Sequence, residues 1–123
     1  MNTPIHITVQ TSYIAAQSRP DIQRFVYSYT ITITNHSDSN AQLISRHWRI
    51  KDANENLQEV KGLGVVGEQP LLTPGTSYTY TSGVILETET GMMEGSYQMR
   101  CDDGSTFDAP IPIFALVPPH AMH

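Results

Sequence analysis

Between residues 25 and 34 the chain alternates strictly. Phe25, Tyr27, Tyr29, Ile31 and Ile33 fall on one side of a two-residue repeat, and Val26, Ser28, Thr30, Thr32 and Thr34 on the other. A helix would smear both sets around its axis, whereas a pleated strand sorts them onto opposite faces. This stretch therefore has to be a strand, and it needs neighbours that bury its aromatic and branched side.

Several other stretches repeat the pattern. Ile5, Ile7 and Val9 alternate with His6, Thr8 and Gln10. Over residues 43–51, Ile44, Arg46, Trp48 and Ile50 share one face, with Ser45, His47, Arg49 and Lys51 opposite. Tyr78 and Tyr80 alternate with threonines, and Tyr97, Met99 and Cys101 share a face. Phe107, Ala109, Ile111, Ile113 and Ala115 form the last predicted inward set. Pro110 and Pro112 lack the amide a ladder needs, which places that strand at an edge or at a bulge. Turn chemistry separates the strands. Pro74-Gly75 predicts a type II turn, Asp103-Gly104 predicts a hairpin, and residues 82–93 read as a long connection.

No stretch holds helical periodicity over three turns. The fold expected is all-β: an immunoglobulin-like or fibronectin type III-like antiparallel β-sandwich. It forms one domain over residues 1–123, with residues 118–123 a flexible tail. Trp48, the sole tryptophan, is the expected centre of the core. Tyr97-Gln98-Met99 stands where immunoglobulin-type domains carry Tyr-x-Cys, so packing alone must hold the sheets together. Either Tyr78 or Tyr97 could form a tyrosine corner.

Composition narrows the functional classes. The formal charge is −5 with only seven basic residues, scattered along the chain, a poor match to a phosphate backbone; nucleic acid is set aside. One cysteine, Cys101, cannot form an internal disulfide and suits a reducing compartment. No signal peptide or membrane-length apolar run is present, so a cytoplasmic protein without membrane insertion is expected.

The one stretch with a chemical pattern is Gly62-Leu63-Gly64-Val65-Val66-Gly67-Glu68-Gln69-Pro70. Gly62, Gly64 and Gly67 fit G-x-G-x-x-G, but a dinucleotide site needs a helix to follow, and prolines follow instead. A helix-free anion nest for nucleotide or pyrophosphate is the alternative that survives. The simpler reading is that the glycines permit tight turns. Asp52-x-Asn54-x-Asn56 begins like a calcium loop, yet Leu57 and Leu63 replace the required glycine and glutamate. His120-x-x-His123 has ligand spacing without further ligands, so direct metal binding stands only as a second alternative, and no metal site or cofactor is assigned. Arg46-His47-Trp48 offers types enriched at interfaces, the candidate surface for an unidentified protein partner. An edge strand could also pair two copies as a homodimer. Cys101 reads as a core thiol, and no Ser–His–Asp, Cys–His or paired-carboxylate set is found, so a non-enzymatic binding module is expected.

Blocks spread over nearly the whole chain carry a family resemblance. They include Tyr27-Ser28-Tyr29-Thr30-Ile31-Thr32-Ile33-Thr34-Asn35, Leu43-Ile44-Ser45-Arg46-His47-Trp48 and the run from Glu59 through Gln69-Pro70. Together they resemble the ApaG (CorD) family. The resemblance implies a fibronectin type III-like sandwich and a loose association with cobalt tolerance and magnesium efflux. It also implies a protein-interaction role, as the domain has in some F-box proteins and a polymerase-interacting protein. Gly62, Gly64 and Gly67 match the pyrophosphate-binding pattern proposed for the family.

Overall fold

A computed structural model describes residues 4–121. Eight strands run in chain order: β1 (Ile5–Tyr13), β2 (Phe25–Asn35), β3 (Ala41–Asp52), β4 (Leu57–Leu63), β5 (Leu71–Leu72), β6 (Ser77–Leu86), β7 (Gly91–Cys101) and β8 (Thr106–Leu116). One sheet has the order β1-β2-β6 and the other β4-β3-β7-β8, with the short β5 pairing the start of β3. Every pairing is antiparallel. This is the predicted immunoglobulin-like, fibronectin type III-like sandwich.

The alternation of β2 survives intact. Tyr27, Ile31 and Ile33 are fully buried between the sheets, and on the other face Thr30, Thr32 and Thr34 pair hydroxyls with Thr81, Thr79 and Ser77 of β6. Trp48 is buried as expected. Tyr29, Tyr97 and Phe114 surround it with tilted, edge-on rings, at centroid distances of 5.5, 6.4 and 5.9 Å, the arrangement that ring quadrupoles favour.

Two strands break the parity read from sequence, and both do so at a bulge. Between Leu43 and Ser45 the β3–β7 register slips by one residue. Ala41 and Leu43 face the core before it; Trp48 and Ile50 face the core after it, and Ile44 is the extra residue. The expected inward set of Ile44, Arg46, Trp48 and Ile50 is therefore corrected at its first member. In β8, Pro112 and Ile113 together oppose the single residue Glu94. Ala109 and Ile111 point inward, but Ile113 is exposed and Leu116 takes the buried position. The prolines do mark a bulged edge strand, and the bulge turns Ile113 and Ala115 outward. A one-residue insertion exchanges the two faces of everything beyond it.

Residues 82–93 are not a long connection. Ser82, Val84 and Leu86 extend the alternation of β6, and a four-residue turn leads to Gly91. The Pro74-Gly75 turn forms as predicted, with Thr76 N–H donating to Thr73 O at 3.1 Å and Gly75 at φ +79°. Neither Tyr78 nor Tyr97 makes a tyrosine corner: Tyr97 shares a hydrogen bond with Tyr80, and it is Tyr27 whose hydroxyl donates to a backbone carbonyl, that of Glu89. At the chain end Pro118 is fully buried and Pro119–Ala121 form a single 3-10 turn, so the chain is seated well past β8.

Candidate functional site

β4 and β5 both pair with the same edge of β3, and residues 64–70 form a strap between them. The strap crosses β3 at its bulge. A bulge leaves backbone groups outside the ladder, and here the strap collects them. Ile44 O accepts from Gly64 N at 2.8 Å and from Gln69 Nε2 at 2.9 Å. Leu43 N donates to Pro70 O at 3.0 Å, and Gln42 Nε2 donates to Gln69 O at 3.1 Å. The bulge and the glycine stretch are thus one structural unit.

The tip of the strap is a two-residue turn. Val65 N donates to Glu68 O at 2.8 Å and Glu68 N to Val65 O at 2.9 Å. Between them Val66 and Gly67 have φ of +43° and +82°, the double positive φ of a type I′ turn. Val65 is buried and anchors the turn to the core. Gly64 has φ +64°, and a Cβ there would lie 2.3 Å from Glu68 O. Gly62 has a different reason: Arg46 lies across it, and a Cβ would lie 2.8 Å from Nη1. The amides of Gly64, Val65 and Glu68 each face a carbonyl of the chain itself.

The structure divides Arg46, His47 and Trp48 among different environments. Arg46 starts on the inward face of β3, and its Nη1 donates to Leu63 O at 3.1 Å and Gly64 O at 2.8 Å. Its guanidinium thereby reaches the sheet rim and ties the strap to β3. His47 points outward, with Nε2 2.6 Å from Glu59 Oε2; that contact holds the Glu59 carboxyl below its usual value. Trp48 is 2% exposed, and its Nε1–H is buried with no hydrogen-bond partner among the described residues.

Around the strap three large apolar side chains are exposed among Lys61, Glu68 and Gln69. Leu63 is 76% exposed, Val66 56% and Leu71 55%. Leu63 pairs with Ser45 and Leu71 with Gln42, so both stand on the outer face of the sheet, on the side of β3 that carries His47. Sequence reasoning missed Leu63, Val66 and Leu71. The available signal was leucine and valine in a glycine–proline turn that has no packing need for them.

Burial pushes the Tyr97 and Tyr80 hydroxyls well above the ordinary tyrosine value; they lie 2.5 Å apart in the core. Burial likewise raises Tyr27, to about 12. Among the described residues no three His, Cys, Asp or Glu side chains gather as metal ligands. His120 lies 3.3 Å from Glu89, and His123 is outside the described residues. The Asp52 carboxylate accepts from the amides of Asn54 and Asn56 at 2.9 and 3.0 Å, closing the β3–β4 turn. Cys101 is a half-buried free thiol. No helix among the described residues is long and apolar enough to cross a membrane.

Residues 15–101, spanning the strap and both bulge partners on β3 and β7, match the model of the ApaG domain. The chain belongs to the ApaG family. It is 57% identical to Protein ApaG of Thiobacillus denitrificans over 97% of this chain and 94% of that relative. Protein ApaG of Pseudomonas aeruginosa strain LESB58 is 52% identical over the same shares. A crystal structure described as that of the ApaA protein from Bordetella pertussis superposes with a TM-score of 0.92 at 46% identity, covering 95% of each chain. The ApaG fold seen here is therefore shared along its length with a solved relative.

Proposed function

We propose that this ApaG domain is a recognition module, without turnover chemistry of its own, that docks a protein partner on the outer face around the strap. The observation that carries this reading is the exposure of Leu63, Val66 and Leu71 on a backbone braced by its own hydrogen bonds. Clustered exposed apolar side chains are a mark of contact surfaces, and a pre-braced backbone loses little freedom on binding. His47 and Glu59 supply a polar rim beside the apolar patch. On this reading the family's tie to cobalt tolerance and magnesium efflux runs through the cytoplasmic partner.

A photoreactive phenylalanine analogue at position 63 tests this in cells, with the same analogue at position 113 as control. Both sites are exposed, but Ile113 lies on β8 at the other edge of the sheet. A discrete adduct at 63 that is absent at 113, and that disappears with Leu71→Glu, supports the assignment. No adduct at 63, or the same adduct at both positions, refutes it.

A further inference from the structure

The sandwich is open along the side where β6 and β4 form the sheet edges, and a cleft of about 540 Å³ enters between the sheets there. Its walls include Tyr29, Trp48, Val60 and Ile85, and two cations, Arg24 and Arg46, line it as well. Among the described residues neither arginine has a carboxylate within ion-pair distance; the described ion pairs use Arg19, His47, Arg49, Lys51 and His120. Among the described residues both hydrogen bonds of the Arg46 guanidinium leave through Nη1, and none uses Nη2 and Nε, the fork that grips a carboxylate with two parallel bonds. The second, independent observation is Trp48 itself. A buried indole N–H usually finds an acceptor; this one has none among the described residues.

We infer that the inter-sheet cleft binds a small organic carboxylate with an aromatic or branched apolar body. The body lies against Tyr29, Trp48 and Val60, and the carboxylate meets the Arg46 fork with Arg24 at the mouth. Binding moves the cleft wall so that a ligand oxygen reaches Trp48 Nε1–H, which has almost no accessible surface in the free chain. The volume lies in the range of small-molecule pockets, roughly 300 to 1,000 Å³, and Gln17, Gln58 and Ser82 add polar groups to the lining. A carboxylate suits these walls better than a phosphate dianion, because a single charge costs less to remove from water.

The sole tryptophan gives a single indole N–H signal in a nitrogen–proton correlation spectrum. Titrating the full chain with 3-phenylpropionate should move that signal saturably by about 10 mM, whereas the neutral 3-phenylpropanol should need at least about tenfold more. Arg46→Gln should weaken the carboxylate response by about tenfold or more, in keeping with the strength of a charge-assisted fork. Because Arg46 also ties down the strap, Arg24→Gln is the second variant. Arg24 is exposed and its side chain holds no other element, so the fold should be unchanged and the response several-fold weaker. An indole signal that stays still with 3-phenylpropionate overturns the inference. So does an equal response to acid and alcohol, or an unchanged response in both arginine variants.

Discussion

Replacing Gly64 by alanine should cost far more than the same change at Gly67, three residues away, although both have positive φ. At Gly67 a Cβ meets nothing within 4 Å, so only the left-handed conformation is penalised, by about 1 kcal/mol. At Gly64 the same penalty applies, but the new Cβ also falls 2.3 Å from Glu68 O. An atom pair at that distance must separate by about 1 Å. The obstructing atom is backbone, and it accepts from Val65 N at 2.8 Å. Withdrawing it breaks that bond, for about 1 kcal/mol more, and strains the Gly64 bond to Ile44 O that anchors the strap to the bulge. The total is about 2–4 kcal/mol. Urea unfolding should show it as a midpoint lowered by about 1–2 M for Gly64→Ala and by about half a molar unit for Gly67→Ala, since slopes near 1–3 kcal/mol/M are usual for small domains. Amide exchange adds a local check: the Val65 amide should lose protection in Gly64→Ala and keep it in Gly67→Ala. If the two variants are equally stable, the strap is not braced in the way described.

Asn35 is fully buried, its Nδ2 donates to Ser39 O and Leu72 O, and its Oδ1 accepts from Ser37; Asn35→Ala should cost about 2–4 kcal/mol by calorimetry, because it leaves buried carbonyls unpaired. Alkaline titration should unfold the protein cooperatively. Tyr97 and Tyr80 are raised by burial while unfolded tyrosines ionise near pH 10, so their stabilisation is complete below that pH and falls by roughly 1.4 kcal/mol per pH unit per tyrosine above it. A melting temperature flat from pH 9 to about 11.5 would contradict this. Leu63→Glu, on a side chain 76% exposed, should leave stability within about 0.5 kcal/mol, and a larger loss would show that Leu63 belongs to the fold and not to a contact surface.

The two-residue repeat was enough to establish most of the strands, though not the second half of β6 or the start of β7, along with their hydroxyl-bearing and apolar faces and the place of Trp48 in the core, because which side of a strand a residue occupies is settled by its immediate neighbours in sequence. The same local rule failed at Ile44, Ile113 and Ala115. One extra residue in a strand costs little locally, yet it reverses every face beyond it, and whether it is tolerated depends on what the opposing strand and the strap can bond. The prolines of β8 advertised that event; nothing in Leu43-Ile44-Ser45 did. Gly62, Gly64 and Gly67 were visible as a pattern, but their separate causes were not: a guanidinium laid over the first, a carbonyl against the second, a turn tip at the third. Only the first of those causes comes from β3, through Arg46; the carbonyl is that of Glu68, and the turn is closed by Val65 and Glu68, so both lie within the strap itself. The division of Arg46, His47 and Trp48 between rim, outer face and core was likewise a tertiary result, since adjacent residues on a strand point opposite ways and only the packed second sheet decides which way is in.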